Sequence, residues 1–172
     1  AGGPGLVAVG SDNSNLVPTI WVSEDGYDWE RLPADEEVFG GDRNPVMWSV
    51  AAGGPGLVAV GFDNWFVGEM DAIVWVSRDG REWERVEDRG VLQTPVDESL
   101  FRVAAGEAGL LAAGPFDLWT SPDGYQWSRV REEGLDEKRA DVEGAQGVFL
   151  PVPASTLTTI SVCFCFPLFQ GR

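Results

Sequence analysis

Apolar positions along this chain come in short bursts, among them LVAVG, TIWVS, AIVWVS and LLAAG, each closed by glycine, aspartate or proline. Bursts of this length between turn-forming residues predict β-strands joined by tight turns rather than long helices. They also recur in order, as three copies of one unit. The first copy reads AGGPGLVAVG at 1–10 and TIWVSEDGYDWERL at 19–32. The second reads MWSVAAGGPGLVAVG at 47–61 and AIVWVSRDGREWERV at 72–86, and the third reads LFRVAAGEAGLLAAG at 100–114 and LWTSPDGYQWSRV at 118–130.

Spacing separates the rigid parts of the unit from the variable one. From the tryptophan that closes one copy to the leucine of the next glycine-rich strand there are 28 residues (Trp29 to Leu57) and then 27 (Trp83 to Leu110). From that leucine to the following tryptophan there are 15 (Leu6 to Trp21), 18 (Leu57 to Trp75) and 9 (Leu110 to Trp119), so nearly all length variation falls in one loop. The second copy divides into strand A at 48–52, B at 57–61, C at 73–77 and D at 83–86, with hairpin turns at 53–56 and 78–81. Strand B is small and apolar in every copy, as a strand covered on both faces must be, whereas strand D is charged, as suits a rim. Four antiparallel strands per unit of this length is the blade of a β-propeller. The expected fold class is therefore all-β, a β-propeller of four-stranded antiparallel blades with about three present. Blade 1 is expected at 1–32, without most of its innermost strand, blade 2 at 47–86 and blade 3 at 99–130, followed by a connector and divergent tail at 131–172.

The pattern W-[VT]-S-x-D-G-x-x-W occurs three times, from Trp21 to Trp29, Trp75 to Trp83 and Trp119 to Trp127. An aspartate in a turn accepts hydrogen bonds from nearby backbone N–H groups, and a glycine supplies a positive φ that a Cβ resists. Ser23, Asp25, Gly26 and Trp29, with Ser77, Asp79, Gly80 and Trp83 and with Ser121, Asp123, Gly124 and Trp127, are thus expected to build turns and inter-blade packing rather than catalyse. The motif resembles the Asp-box, or bacterial neuraminidase repeat, whose usual form is S-x-D-x-G-x-T-W. The match covers about 1–130; it lacks the residue between Asp and Gly and carries Asp28, Glu82 and Gln126 where threonine is usual. The resemblance implies a sialidase-like propeller in which the box is a structural turn on the face away from any active site.

Charge excludes one class of partner outright. With 28 Asp and Glu against 12 Lys and Arg the net charge is −16, which repels a phosphate backbone or an anionic membrane. Without histidine there is no Ser-His-Asp relay and no imidazole metal site. The two cysteines, Cys163 and Cys165, lie together near the end, one residue apart and poorly set for a disulfide, and supply no zinc spacing. No cofactor, metal or membrane span is expected.

In a four-stranded blade the B–C and D–A loops share one end, and variation concentrated there marks a binding side. The B–C loops begin GSDN at 10–13, GFDNWF at 61–66 and GPFD at 114–117; the D–A loops are acidic, with Asp35, Glu36, Glu37, Asp42, Glu87, Asp88, Asp97 and Glu98. Asp12, Asp63, Asn64 and Trp65 are the candidate ligand contacts, Trp65 because a non-repeated loop tryptophan is a natural sugar-stacking ring. Arg102, on the innermost strand A, is the one arginine expected to face a central site. A sialidase, as the family implies, needs an arginine triad and a tyrosine nucleophile; here Tyr27 and Tyr125 sit inside box turns, so no catalytic residue is assigned.

The chain opens within the unit, since Ala1-Gly2-Gly3 aligns with Ala52-Gly53-Gly54, and three units fall short of the four to eight that close a ring. The segment 156–169 alternates enough for a strand, yet the Gly/Trp/Asp grammar stops before it. The expectation is a non-enzymatic sialidase-like propeller segment of a bacterial exported or surface protein, binding glycan or protein through the B–C and D–A loops and prone to self-association through exposed blade edges. The alternative is a fragment of a glycoside hydrolase, sialidase-like or xyloglucanase-like, whose catalytic residues are partly missing.

Overall fold

The computed structural model describes residues 5–11, 17–40, 44–63, 70–87, 92, 99–115 and 117–130. The strands it holds are those that the repeated unit predicts, with one short helix besides. They are β1 (Leu6–Ser11), β2 (Pro18–Ser23), β3 (Glu30–Arg31), β4 (Val46–Gly53), β5 (Gly56–Phe62), β6 (Ala72–Ser77), β7 (Trp83–Arg85), β8 (Arg102–Gly106), β9 (Gly109–Ala113), β10 (Leu118–Ser121) and β11 (Ser128–Arg129), with α1 (Glu36–Phe39) after β3. Each strand pairs antiparallel with its sequence neighbour, giving three meander sheets, β1–β2–β3, β4–β5–β6–β7 and β8–β9–β10–β11. The expected tail at 131–172 lies outside the described residues.

Side chains of a strand alternate between its two faces, and in the middle sheet both faces are apolar. From β5 and β6, Val58, Val60, Val74 and Val76 pack with Val103, Leu110, Ala112, Trp119 and Trp127 of the third sheet. The intervening Ala59, Ile73 and Trp75, with Trp83, pack instead with Val9, Ile20 and Val22 of the first sheet. Two-sided burial explains why β5 and β6 read as near-continuous apolar runs where a one-sided sheet would alternate with polar residues. The sheets therefore stack as layers, with β4 lying against both β1 and β8.

Two local devices fix these layers. Gly61 pairs with Met47 where a Cβ would come 1.8 Å from the Val46 carbonyl oxygen, so only glycine fits. Between Met47 and Ser49 the β4–β5 register slips, leaving Trp48 as a bulge residue. The helix α1 was not anticipated in the acidic loop. Asp35 caps it by accepting from the Glu37 N–H at 2.9 Å, which places Phe39 in the core and lets the Val38 carbonyl accept the Trp75 indole N–H at 3.1 Å. Among the described residues no helix is long and apolar enough to cross a membrane.

Trp75 is fully buried between the first two sheets. Trp75→Ala is expected to cost about 3–5 kcal/mol of unfolding free energy, read from denaturant melts. A loss under about 1 kcal/mol would contradict the layer assignment.

Candidate functional site

Meander sheets put their connections at two ends, and the two ends carry different chemistry. At one end lie the motif turns, which are built alike in all three sheets. Ser23, Ser77 and Ser121 each accept from the motif glycine N–H at 2.8 Å through Oγ. Asp25 Oδ1 accepts from the N–H groups of Tyr27 (2.9 Å) and Asp28 (3.0 Å), Asp79 Oδ1 from Arg81 (2.8 Å) and Glu82 (2.9 Å), and Asp123 Oδ1 from Tyr125 (2.9 Å) and Gln126 (2.8 Å). Gly26, Gly80 and Gly124 have φ of +82°, +81° and +85°. The closing indoles of Trp29, Trp83 and Trp127 donate to the carbonyls of those glycines at 3.1, 3.0 and 2.9 Å.

These bonds perturb the aspartates. The N–H of Asp28, Glu82 or Gln126, joined by that of Tyr27, Arg81 or Tyr125, holds each motif carboxyl below the usual 3.8 because it favours the charged form. A carboxylate used up by its own turn has little left for a substrate. An open groove of about 460 Å³ runs between the first two motif turns, past Asp25, Asp28, Trp29, Glu30 and Arg81. Among the described residues no three carboxylate, cysteine or histidine groups are arranged to hold a metal ion.

The other end carries the B–C and D–A loops, and with them most of the residues singled out for binding. Asp12, Asn64 and Trp65 lie outside the described residues. Asp63 follows β5 and is turned inward: it is 1% exposed, its N–H donates to the Asp71 carbonyl at 3.0 Å, and its Oδ2 lies 3.5 Å from the Arg85 guanidinium. A buried carboxylate facing a strand-D arginine has the geometry of a loop anchor. The equivalent arginines meet other partners. Arg31 donates to Thr19 Oγ1 at 3.3 Å, and Arg129 meets Asp117 Oδ1 at 2.6 Å while lying 5.9 Å from the Trp119 ring centroid.

Arg102 is exposed at the start of β8, where its guanidinium donates to the Phe101 carbonyl at 2.8 Å. Beside it is a group not singled out by the sequence reading. Trp48, Phe62 and Phe101 form a triangle with ring centroids 5.9, 5.6 and 5.5 Å apart; Phe62 is buried beneath, and Trp48 and Phe101 are partly exposed. The repeat held the signal for it: Trp48 and Phe101 occupy the same position in MWSV and LFRV. A cavity of about 170 Å³ opens at this end, lined by Ile73, Arg85, Glu87 and Leu92 among others. It is smaller than the ~300 Å³ at which ligand pockets begin.

Comparison with protein-family models, with curated proteins and with solved structures finds no match for this chain.

The motif aspartates make an acid-stability prediction whose sign is set by their lowered pKa. Their contribution is complete above the unfolded value of about 3.8 and is lost as pH falls through the lower folded value. Replacing Asp25, Asp79 and Asp123 together by Asn should therefore lower the denaturation midpoint by a constant amount between pH 7 and 5. The gap to the parent chain should narrow below pH 3.8. A gap unchanged down to pH 2 would exclude this role.

Proposed function

We propose that the chain is a non-enzymatic β-propeller segment of the Asp-box, sialidase-like kind, from a bacterial exported or surface protein, which binds a glycan or protein partner through its B–C and D–A loops. The observation that carries the reading is the aromatic triangle at the loop-bearing end. Trp48 and Phe101 are partly exposed above a buried Phe62, and Arg102 follows Phe101 at the start of β8. Flat rings with an adjacent donor suit a sugar ring better than a flexible chain, so a glycan is the favoured ligand.

Two further observations support binding over hydrolysis. Two of the carboxylates described near this end are engaged by arginine, Asp63 by Arg85 and Asp117 by Arg129, whereas glycoside hydrolysis asks for two carboxyl groups facing each other across a substrate. The motif aspartates stand at the opposite end, fixed in their own turns.

A glycan array with the intact chain tests the reading, followed by titration of the strongest hit. Trp48→Ala is expected to weaken that binding about tenfold, the equivalent of roughly 1.4 kcal/mol, with the melting transition retained. Full affinity in that variant would remove the aromatic triangle from the site; release of reducing sugar from a bound glycan would replace the binding reading with the hydrolase one.

A further inference from the structure

The three units are not equally covered, and the differences repeat in register. The residue after the motif glycine reaches back to the residue after the closing tryptophan of the preceding sheet. Arg81 meets Glu30 at 2.9 Å, and the Tyr125 hydroxyl donates to Glu84 Oε1 at 2.5 Å. The same two positions thus form one latch twice, once as an ion pair and once as a hydroxyl–carboxylate bond. The first of these positions in the first unit is Tyr27, which is 89% exposed. The second of them in the third unit is Ser128, also exposed.

The apolar faces behind the latches follow suit. Trp83 and Trp127, each sandwiched against the preceding sheet, are 8% and 6% exposed, whereas their equivalent Trp29 is 42% exposed. On the opposite face Val74, covered by the third sheet, is 1% exposed, whereas its equivalent Leu118 is 36% exposed. Among the described residues the stack therefore ends in two unlike faces. One presents Trp29 and Tyr27; the other presents Leu118 and Ser128. Each is the counterpart of a face that, one unit along, is buried against the other kind.

We propose that two copies of this chain join head to tail, the Trp29 face of one copy seated on the Leu118 face of the other, with Tyr27 directed at the partner copy's Ser128 position. The contact continues the interface already made twice within the chain. Both latch positions at this junction, Tyr27 and Ser128, are uncharged. The stoichiometry rests on the propeller reading above. Rings close with four to eight blades, and the three described units of each of two copies make six. Long-range repulsion between the copies is screened by salt, so association should tighten as ionic strength rises.

Sedimentation velocity on the full chain tests this. The expected result is a dimer whose dissociation constant rises at least tenfold in Tyr27→Glu and, separately, in Leu118→Glu, each with an unchanged circular dichroism spectrum. A monomer at every concentration and salt, or a dimer indifferent to both substitutions, would overturn the docking. Assemblies that grow beyond two copies, yet break with either substitution, would support the docking and overturn the six-unit ring.

Discussion

The middle sheet is apolar on both faces, and the rest of the structure follows from the need to cover them. A four-stranded sheet with one apolar face can sit on a single partner; one with two must be sandwiched. The middle sheet meets that need by dividing its alternating residues, Val58, Val60, Val74 and Val76 to one side and Ala59, Ile73 and Trp75 to the other. The closing tryptophan extends the sandwich past the last well-paired strand. Strand β7 is three residues long and β11 only two, too short to bury much themselves, yet Trp83 and Trp127 lay a large ring across the neighbouring sheet from their first turn.

That placement makes the motif turn more than a local device. The indole of Trp83 is held by the Gly80 carbonyl, Gly80 by Ser77, and the turn by Asp79, so hydrogen bonds within seven residues determine where an inter-sheet ring lies. The turn also comes within contact of the neighbour: a Cβ on Gly124 would approach Val58 Cγ2 to 2.9 Å and Val76 Cγ1 to 3.3 Å. A side chain there would collide with the preceding sheet as well as strain the positive φ. Local geometry and layer spacing thus depend on the same glycine.

The strands and motif turns were legible in the sequence because their physics is local and repeated. Strand limits of the middle sheet fall within two residues of those read from apolar bursts, since glycine and aspartate mark turns wherever they stand. What escaped is non-local. Nothing in D-E-E-V-F announces that a single helical turn will pin Trp75 from another sheet. Asp63 reads as a loop acid because sequence shows its neighbour Asn64 and not Arg85, which comes to it from 22 residues away. The aromatic triangle unites Trp48, Phe62 and Phe101, of which only Trp48 and Phe101 share a repeat position; the third corner is supplied by strand pairing and a bulge.

Arg31, Arg85 and Arg129 show how such a chain reconciles a rigid repeat with a variable end. They hold one position on strand D, yet reach Thr19, Asp63 and Asp117. The B–C stretch beside them differs in length in every unit, from Leu6 to Trp21, Leu57 to Trp75 and Leu110 to Trp119. A guanidinium on a long, flexible stem presents donors over a wide arc and accepts either a hydroxyl or a carboxylate partner. The anchor therefore tolerates a change of partner where a buried apolar contact would demand a fixed shape. Loops can then lengthen, shorten and change sequence at the end that offers Trp48 and Arg102, while the tryptophan layers beneath keep their register.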